Sequence, residues 1–298
     1  MINIIQNRKY SYIFSAILIV ASIVSLSIWG LKLGIDFTGG SLLELEFNNT
    51  HPSNDDIQSV LKPLNIGNVV IQPSGDKAVF MRFKDISQPE FEKLISGLNE
   101  KFGGVTSKRF ESIGPVLGYE LARKALWATG LALIFIIIYI AWAFRKVARP
   151  VASWKYGVSA IIALAHDVLI TVGLFSILGH YLNVEIDSLF VSAILTVLGF
   201  SVHDTIVVFD RTRENLFRGM AGSFDLIVNK SINDTIARSI NTSLTTVLVL
   251  TALFIFGGAT IKYFSLALIV GIIIGTYSSI FVASALLVDW YKLGVVKR

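Results

Sequence analysis

Two dipeptides, His166-Asp167 and His203-Asp204, sit inside long apolar runs of this 298-residue sequence. Asp210 closes the second of those runs, and Arg238, Asn241, Thr242, Thr245 and Thr246 open the next. Ionisable groups in hydrocarbon are rare, because each costs at least ~2.5–3.5 kcal/mol. A solitary carboxylate there favours its protonated form, and a nearby guanidinium favours the ionised one. A carboxylate balanced between these pulls can load and unload a proton as helices shift. Histidine already titrates near neutral pH. One proton moving down a membrane potential yields about 2.3 kcal/mol per 100 mV, enough to bias a bistable bundle. The chemistry these residues suit is a proton relay through Asp204, Arg238, Asp167, His166 and His203. The competing reading makes Asp204 and Arg238 a static ion pair that fixes helix register.

Such groups need helices to hold them at a common depth. Arg238, Asn241, Thr242 and Thr245 recur at i, i+3, i+4 and i+7, which is one helical face. Thr196, Gly199, His203 and Asp204 are expected to share a face of the helix before it. The helices carrying Asp167 and Asp204 should run antiparallel. At about 1.5 Å per residue, both carboxylates and Arg238 then overlap in the inner half of a bilayer.

Six apolar runs supply the helices: 12–33, 122–144, 153–178, 188–209, 235–256 and 264–288. Each approaches or exceeds the ~20 residues that span a hydrocarbon core. The composition agrees, with 53% hydrophobic and only 16% charged residues, against roughly 25% charge in a soluble domain. The net charge of +5 does not indicate nucleic-acid binding, because the cations cluster at the ends of apolar runs and set topology. Arg8 and Lys9, Arg145, Lys146, Arg149 and Lys155, then Arg211, Arg213, Arg218, Lys230 and Arg238, and finally Lys292, Lys297 and Arg298 mark one side. The opposite connections hold none in 179–187 and only Lys262 in 257–263. Both termini are therefore expected in the cytoplasm, with a cytoplasmic loop at 210–234. The first run lacks a small-residue cleavage site and reads as an uncleaved first helix, 1–33.

The segment 34–120 reads as an extracytoplasmic domain, since long loops cross regardless of charge. Residues 41–47 alternate apolar and acidic, as a half-buried strand does. Residues 55–64 are helix-like, 68–72 and 77–84 are strands joined by a Pro-Ser-Gly-Asp turn, 88–102 is an amphipathic helix, and 106–113 is a last strand. The order βαββαβ suggests a small α+β ferredoxin-like sandwich. Residues 121–298 then carry helices two to six. Within 214–233, Phe224, Ile227 and Val228 share a face that suits a short interfacial helix or a solvated linker. Gly271, Gly275 and Ser279 are four apart and read as helix packing. Gly34–Gly40 reads as a tight exit turn, and Gly114-Pro115-x-x-Gly118 as its counterpart on re-entry. No Walker lysine follows these glycines, so nucleotide use is unsupported. The absence of cysteine excludes thiolate metal sites and disulfides. No cofactor, metal or enzymatic activity is expected.

The stretches GIDFTGG (34–40), ESIGPVLGYEL (111–121), ALAHDVLITVG (163–173), VLGFSVHDTIVVFDRTRENL (197–216), ARSINTSLTT (237–246) and FGGATIKYFSLALIVGIIIGTYSSIF (256–281) together resemble the SecF branch of the SecD–SecF protein-export family. That resemblance covers nearly the whole chain. It implies a resistance-nodulation-division-type fold, in which six-helix halves pair into twelve and SecD supplies the other half. It implies a membrane subunit of a bacterial inner (plasma) membrane that uses the proton-motive force to help unfolded preproteins out. The SecYEG channel, SecA indirectly, and YajC would be its wider partners, with lipid around it and no nucleic acid. In that family, the aspartate of the fourth-helix motif and the arginine of the fifth are implicated in proton movement. They match Asp204 and Arg238. The family often has Asn where this chain has His203, so the resemblance assigns His203 no role.

Two other functions fit a six-helix half. One is a proton-coupled exporter of small molecules or lipids, which usually carries both halves in one chain and larger outer domains. The other is a non-transporting scaffold subunit. Copurifying chains separate the first from the export reading, and substitution of Asp204 and Arg238 separates the second.

Overall fold

The computed structural model describes every residue except Met1, Thr50, Asn65, Asn68, Gly75, Asp76, residues 145–150, Lys297 and Arg298. Arg145, Lys146, Arg149, Lys297 and Arg298, which contribute to the topology expectation, lie outside the described residues, as does the Gly-Asp of the expected Pro-Ser-Gly-Asp turn. The chain forms two units, Leu33–Leu126, and Met1–Lys32 with Trp127–Arg298.

In the smaller unit, a one-turn helix α2 (Ile35–Thr38) leads into β1 (Gly40–Phe47), α3 (Asn54–Leu61), β2 (Val70–Ser74), β3 (Ala78–Phe83), α4 (Gln88–Phe102) and β4 (Val105–Ile113). The sheet is antiparallel throughout, in the order β2-β3-β1-β4, which is the ferredoxin-like arrangement expected from βαββαβ. Period-two alternation sends Leu43, Leu45, Phe47, Val79, Met81 and Phe83 to one face, where Ile57, Leu61, Leu94 and Leu98 of the two helices cover them. Helix α3 stops at Leu61 and a 3₁₀ turn (Lys62–Leu64) follows, because Pro63 cannot donate the next α-helical hydrogen bond. A capping box starts α4: the Ser87 backbone N–H donates to Glu90 Oε2 at 2.7 Å.

The glycines of 34–40 do more than turn the chain. Gly39 has φ +72°, and a Cβ there would lie 2.8 Å from Pro115 Cα. A Cβ on Gly118 would lie 2.8 Å from the Gly39 nitrogen. The exit and re-entry segments therefore cross backbone to backbone, and only glycine permits that approach. The Thr38 hydroxyl donates to the carbonyls of Gly34 and Gly39.

The larger unit is a helical bundle: α1 (Arg8–Trp29), α5 (Pro115–Ala143, which begins in the smaller unit), α6 (Ser153–Leu182), α7 (Ser188–Phe217), α8 (Phe224–Phe256) and α9 (Ala259–Ser278). A π turn, Ser279–Ala283, joins α9 to α10 (Ser284–Val296). Six helices are long and apolar enough to cross a membrane, the last running through the π turn. The packed centre is α6, α7 and α9; α1 packs on α6, and α8 on α7 and α9. Close approach of α9 to α7 follows from glycine: a Cβ on Gly275 would lie 2.9 Å from Ser201 Cβ, and one on Gly271 would meet the Val197 side chain.

The expected interfacial helix is instead the start of α8. Phe224, Ile227, Val228 and Ile232 are buried within the bundle, so their apolar stripe packs on protein and the helix continues unbroken into its membrane span. Only 218–223 links α7 to α8. Across that link Arg211 bridges Asp234 at 2.8 Å, while within α7 it pairs with Glu214 at 2.7 Å. Asn229 Oδ1 accepts the backbone N–H groups of Ile4 and Ile5 at 2.9 and 3.1 Å, which seats the N-terminal residues on α8.

Candidate functional site

Asp167 lies near the middle of α6 with no exposed surface. One carboxylate oxygen accepts from Ser201 Oγ of α7 at 2.5 Å and from Ser278 Oγ of α9 at 2.8 Å. The other lies 2.9 Å from His166 Nδ1. On its far side His166 Nε2 is 3.0 Å from Ser15 Oγ of α1. Ser15 Oγ is 3.3 Å from the Tyr277 hydroxyl, which donates to the Ser11 carbonyl at 2.9 Å. Four helices thus converge on one buried carboxylate.

A second cluster surrounds Asp204, also buried. Its Oδ2 accepts from Thr276 Oγ1 of α9 at 3.0 Å, and Thr276 Oγ1 is 2.5 Å from Ser243 Oγ of α8. One position on, Thr205 Oγ1 meets Ser279 Oγ at 2.8 Å, and Ser279 donates to the Ser201 carbonyl at 3.3 Å. Two residues at the end of α9, Thr276 and Ser278, therefore serve one acid each. Each hydroxyl satisfies a group that hydrocarbon would leave bare.

One sequence expectation fails here, and the structure does not hold the ion pair of the competing reading. Asp204 does not share a face with Thr196, Gly199 and His203: those three are exposed, whereas Asp204 points inward with Val197, Ser201 and Thr205. The reason is that α9, let in by Gly271 and Gly275, covers the Val197–Ser201–Asp204 side. Nor is there an Asp204–Arg238 ion pair. Arg238, Asn241, Thr242 and Thr245 do share a face, as expected, but that face is exposed. Among the described residues Arg238 forms no ion pair, and the bond to Asp204 comes from a neutral hydroxyl. The static pair that competes with a relay is absent in this chain. Asp210 sits at the exposed surface, paired with Arg213. The hydroxyl ligands Ser15, Ser201, Ser243, Thr276, Tyr277 and Ser278 went unnoticed in the sequence. Polar residues at helical spacing in α1 (Ser11, Ser15, Ser22, Ser25) were the available signal.

Comparison with known proteins decides the family. Residues 94–293 match the family described as protein export membrane protein SecD/SecF, C-terminal, and residues 24–50 match the SecD/SecF GG motif. The chain is 46% identical over 97% of its length to the protein translocase subunit SecF of Thermobaculum terrenum, covering 94% of it. The chain belongs to the SecF family of protein translocase subunits. The SecF of Anaerolinea thermophila is 41% identical, with 97% of this chain and 94% of that one aligned. Among solved structures, SecDF of Thermus thermophilus, titled a translocon-associated membrane protein, matches 98% of this chain at TM-score 0.84 and 32% identity. A SecDF structure in a super-membrane-facing form matches 99% at TM-score 0.70 and 32% identity. The chain spans 39% of each of those SecDF chains. As a SecF with six candidate spans it is a multi-pass protein of the bacterial inner membrane. Its GG motif coincides with the Gly39–Gly40 backbone crossing.

Proposed function

We propose that this SecF acts with SecD as an accessory subunit of the Sec translocase, coupling the proton-motive force to preprotein export. The observation that carries this reading is a polar seam without an ion pair. Asp204 is buried against neutral hydroxyls, Thr276 foremost, while Arg238, Asn241 and Thr242 face outward from the same pair of helices. An arginine facing lipid within a span costs at least ~2.5–3.5 kcal/mol, so this face calls for a covering half, and SecD is the partner the family supplies. In the covered state a small rotation of α8 exchanges the Thr276 contact of Asp204 for the Arg238 guanidinium. Proton loading and unloading of Asp204 then selects between two packings.

His203 stands on the exposed side beside that seam, at the entry to the relay, and His166–Asp167 form a station inside the bundle. Both termini are cytoplasmic, by the distribution of cations across short loops. SecYEG, SecA and YajC complete the machinery within which the unit works. The test is preprotein translocation into membrane vesicles with a proton gradient imposed or collapsed. Asp204→Asn and Arg238→Met should abolish the stimulation by the gradient and leave SecD copurifying. Full stimulation in both variants would make the chain a scaffold and end the coupling proposal.

A further inference from the structure

The His166–Asp167 cluster has a property that the seam at Asp204 lacks: it stays fully hydrogen-bonded with or without one added proton. The contacts accommodate an unloaded arrangement. Ser15 Oγ is 3.0 Å from His166 Nε2 but 3.3 Å from the Tyr277 oxygen, and O–H···O bonds centre near about 2.7–2.8 Å. In that arrangement the Ser15 hydrogen points at Nε2, the shorter of its two contacts. The imidazole then carries its hydrogen on Nδ1 and donates it to Asp167, whose other oxygen takes the Ser201 and Ser278 hydroxyls. Tyr277 spends its hydrogen on the Ser11 carbonyl, so its oxygen is free to accept.

One proton arriving at Nε2 forms an imidazolium, with both N–H groups donating. Ser15 can no longer donate to that nitrogen. Its hydroxyl turns, accepts from Nε2–H, and donates to the Tyr277 oxygen. No polar atom loses its partner, no heavy atom need move far, and the dyad passes from net negative to neutral. The bonded partners facing the dyad are Ser15 of α1, Ser201 of α7, and Tyr277 and Ser278 of α9. Of the charges on the packed helices, Asp204 is engaged with Thr276, and Arg8 with Asp289.

We infer that His166 and Asp167 form a second exchangeable-proton site, whose loading is reported to α1 and α9 by reversal of the Ser15 hydroxyl. The inference rests on the proton-coupling reading above and adds a proton store linked by hydrogen bonds to α1 and α9. It also gives Tyr277 and Ser15 positioning roles.

The experiment uses the chain with its SecD partner in lipid. The sequence holds 4 histidines, so ¹⁵N-histidine labelling with His166→Gln as the assignment control isolates one signal. On acidification His166 should switch from the Nδ1–H pattern to the imidazolium pattern. In Asp167→Asn the side-chain amide donates to Nδ1 and should fix the Nε2–H tautomer at neutral pH. In parallel, gradient-driven proton uptake into proteoliposomes should fall several-fold in Ser15→Ala and Tyr277→Phe, recover in Ser15→Thr, and fall about tenfold or more in Asp167→Asn. Tyr277→Phe keeps the ring packing and serves if Asp167→Asn does not assemble. A single unswitching tautomer overturns the inference. So does full uptake in Asp167→Asn or Tyr277→Phe when Asp204→Asn abolishes uptake. Full uptake in Asp204→Asn would instead overturn the seam reading, and is distinguished by that variant alone.

Discussion

Asp167→Ala removes the acceptor of three hydrogen bonds, from Ser201, Ser278 and His166. Asp167→Asn keeps all three contacts, since its carbonyl accepts both hydroxyls and its amide donates to Nδ1. Hydrogen bonds in a bilayer average ~0.6 kcal/mol and reach ~1.7 kcal/mol, because the unfolded helices also find partners there. Three lost bonds therefore cost about 2–5 kcal/mol, and a further cavity penalty accompanies the truncation. The amide should cost less than about 1 kcal/mol. Reversible denaturation in mixed detergent micelles, with helix content as the signal, measures both. Alanine should shift the folded-to-unfolded ratio at least about tenfold further than asparagine. Equal destabilisation would show that burial of the carboxylate, rather than its hydroxyl ligands, governs this site. Stabilisation by alanine would show that desolvation of the acid outweighs every bond it makes.

Other outcomes follow from separate contacts. Gly275→Val should cost about 1–3 kcal/mol in the same denaturation experiment, because its Cβ would press on Ser201 at 2.9 Å. Gly39→Ala should lower the thermal midpoint of the outer unit, since φ +72° is strained for alanine and Pro115 Cα blocks its methyl group. Asn229→Ala leaves the Ile4 and Ile5 N–H groups unpaired, and should speed hydrogen exchange at both amides at least about fivefold. On the outer domain, the hydrogen bond and positive charge of Lys108 hold the Glu46 carboxyl below its ordinary value of 4.5. Whatever stability this exposed pair contributes is complete above that value and is lost as pH falls through the lower folded-state midpoint. Carbon-detected NMR titration should find the Glu46 midpoint returning upward in Lys108→Met.

The spans were legible because hydrocarbon thickness imposes a length on apolar runs, and the outer sandwich because strand alternation and the capping box at Ser87–Glu90 are local signals. The direction in which Asp204 faces was not. His203 and Asp204 are adjacent, about 100° apart around the helix, and both could be grouped with Thr196 and Gly199. What turns Asp204 inward is α9, which approaches only because Gly271 and Gly275 face Val197 and Ser201. Those glycines read correctly as packing residues. Nothing local showed that the same approach delivers Thr276 and Ser278 to two carboxylates. The extension of α8 back to Phe224 was hidden for a similar reason: the stripe at Phe224, Ile227 and Val228 has the same period whether it meets lipid or protein.

Export coupled to protons through Asp204 has one most direct measurement. Preprotein translocation is compared in vesicles with the gradient imposed and collapsed, in the native chain and in Asp204→Asn, with SecD retention checked in both. The predicted result is a ratio well above one for the native chain that falls to one in the variant. A variant that retains SecD and the native ratio would contradict proton coupling at this residue.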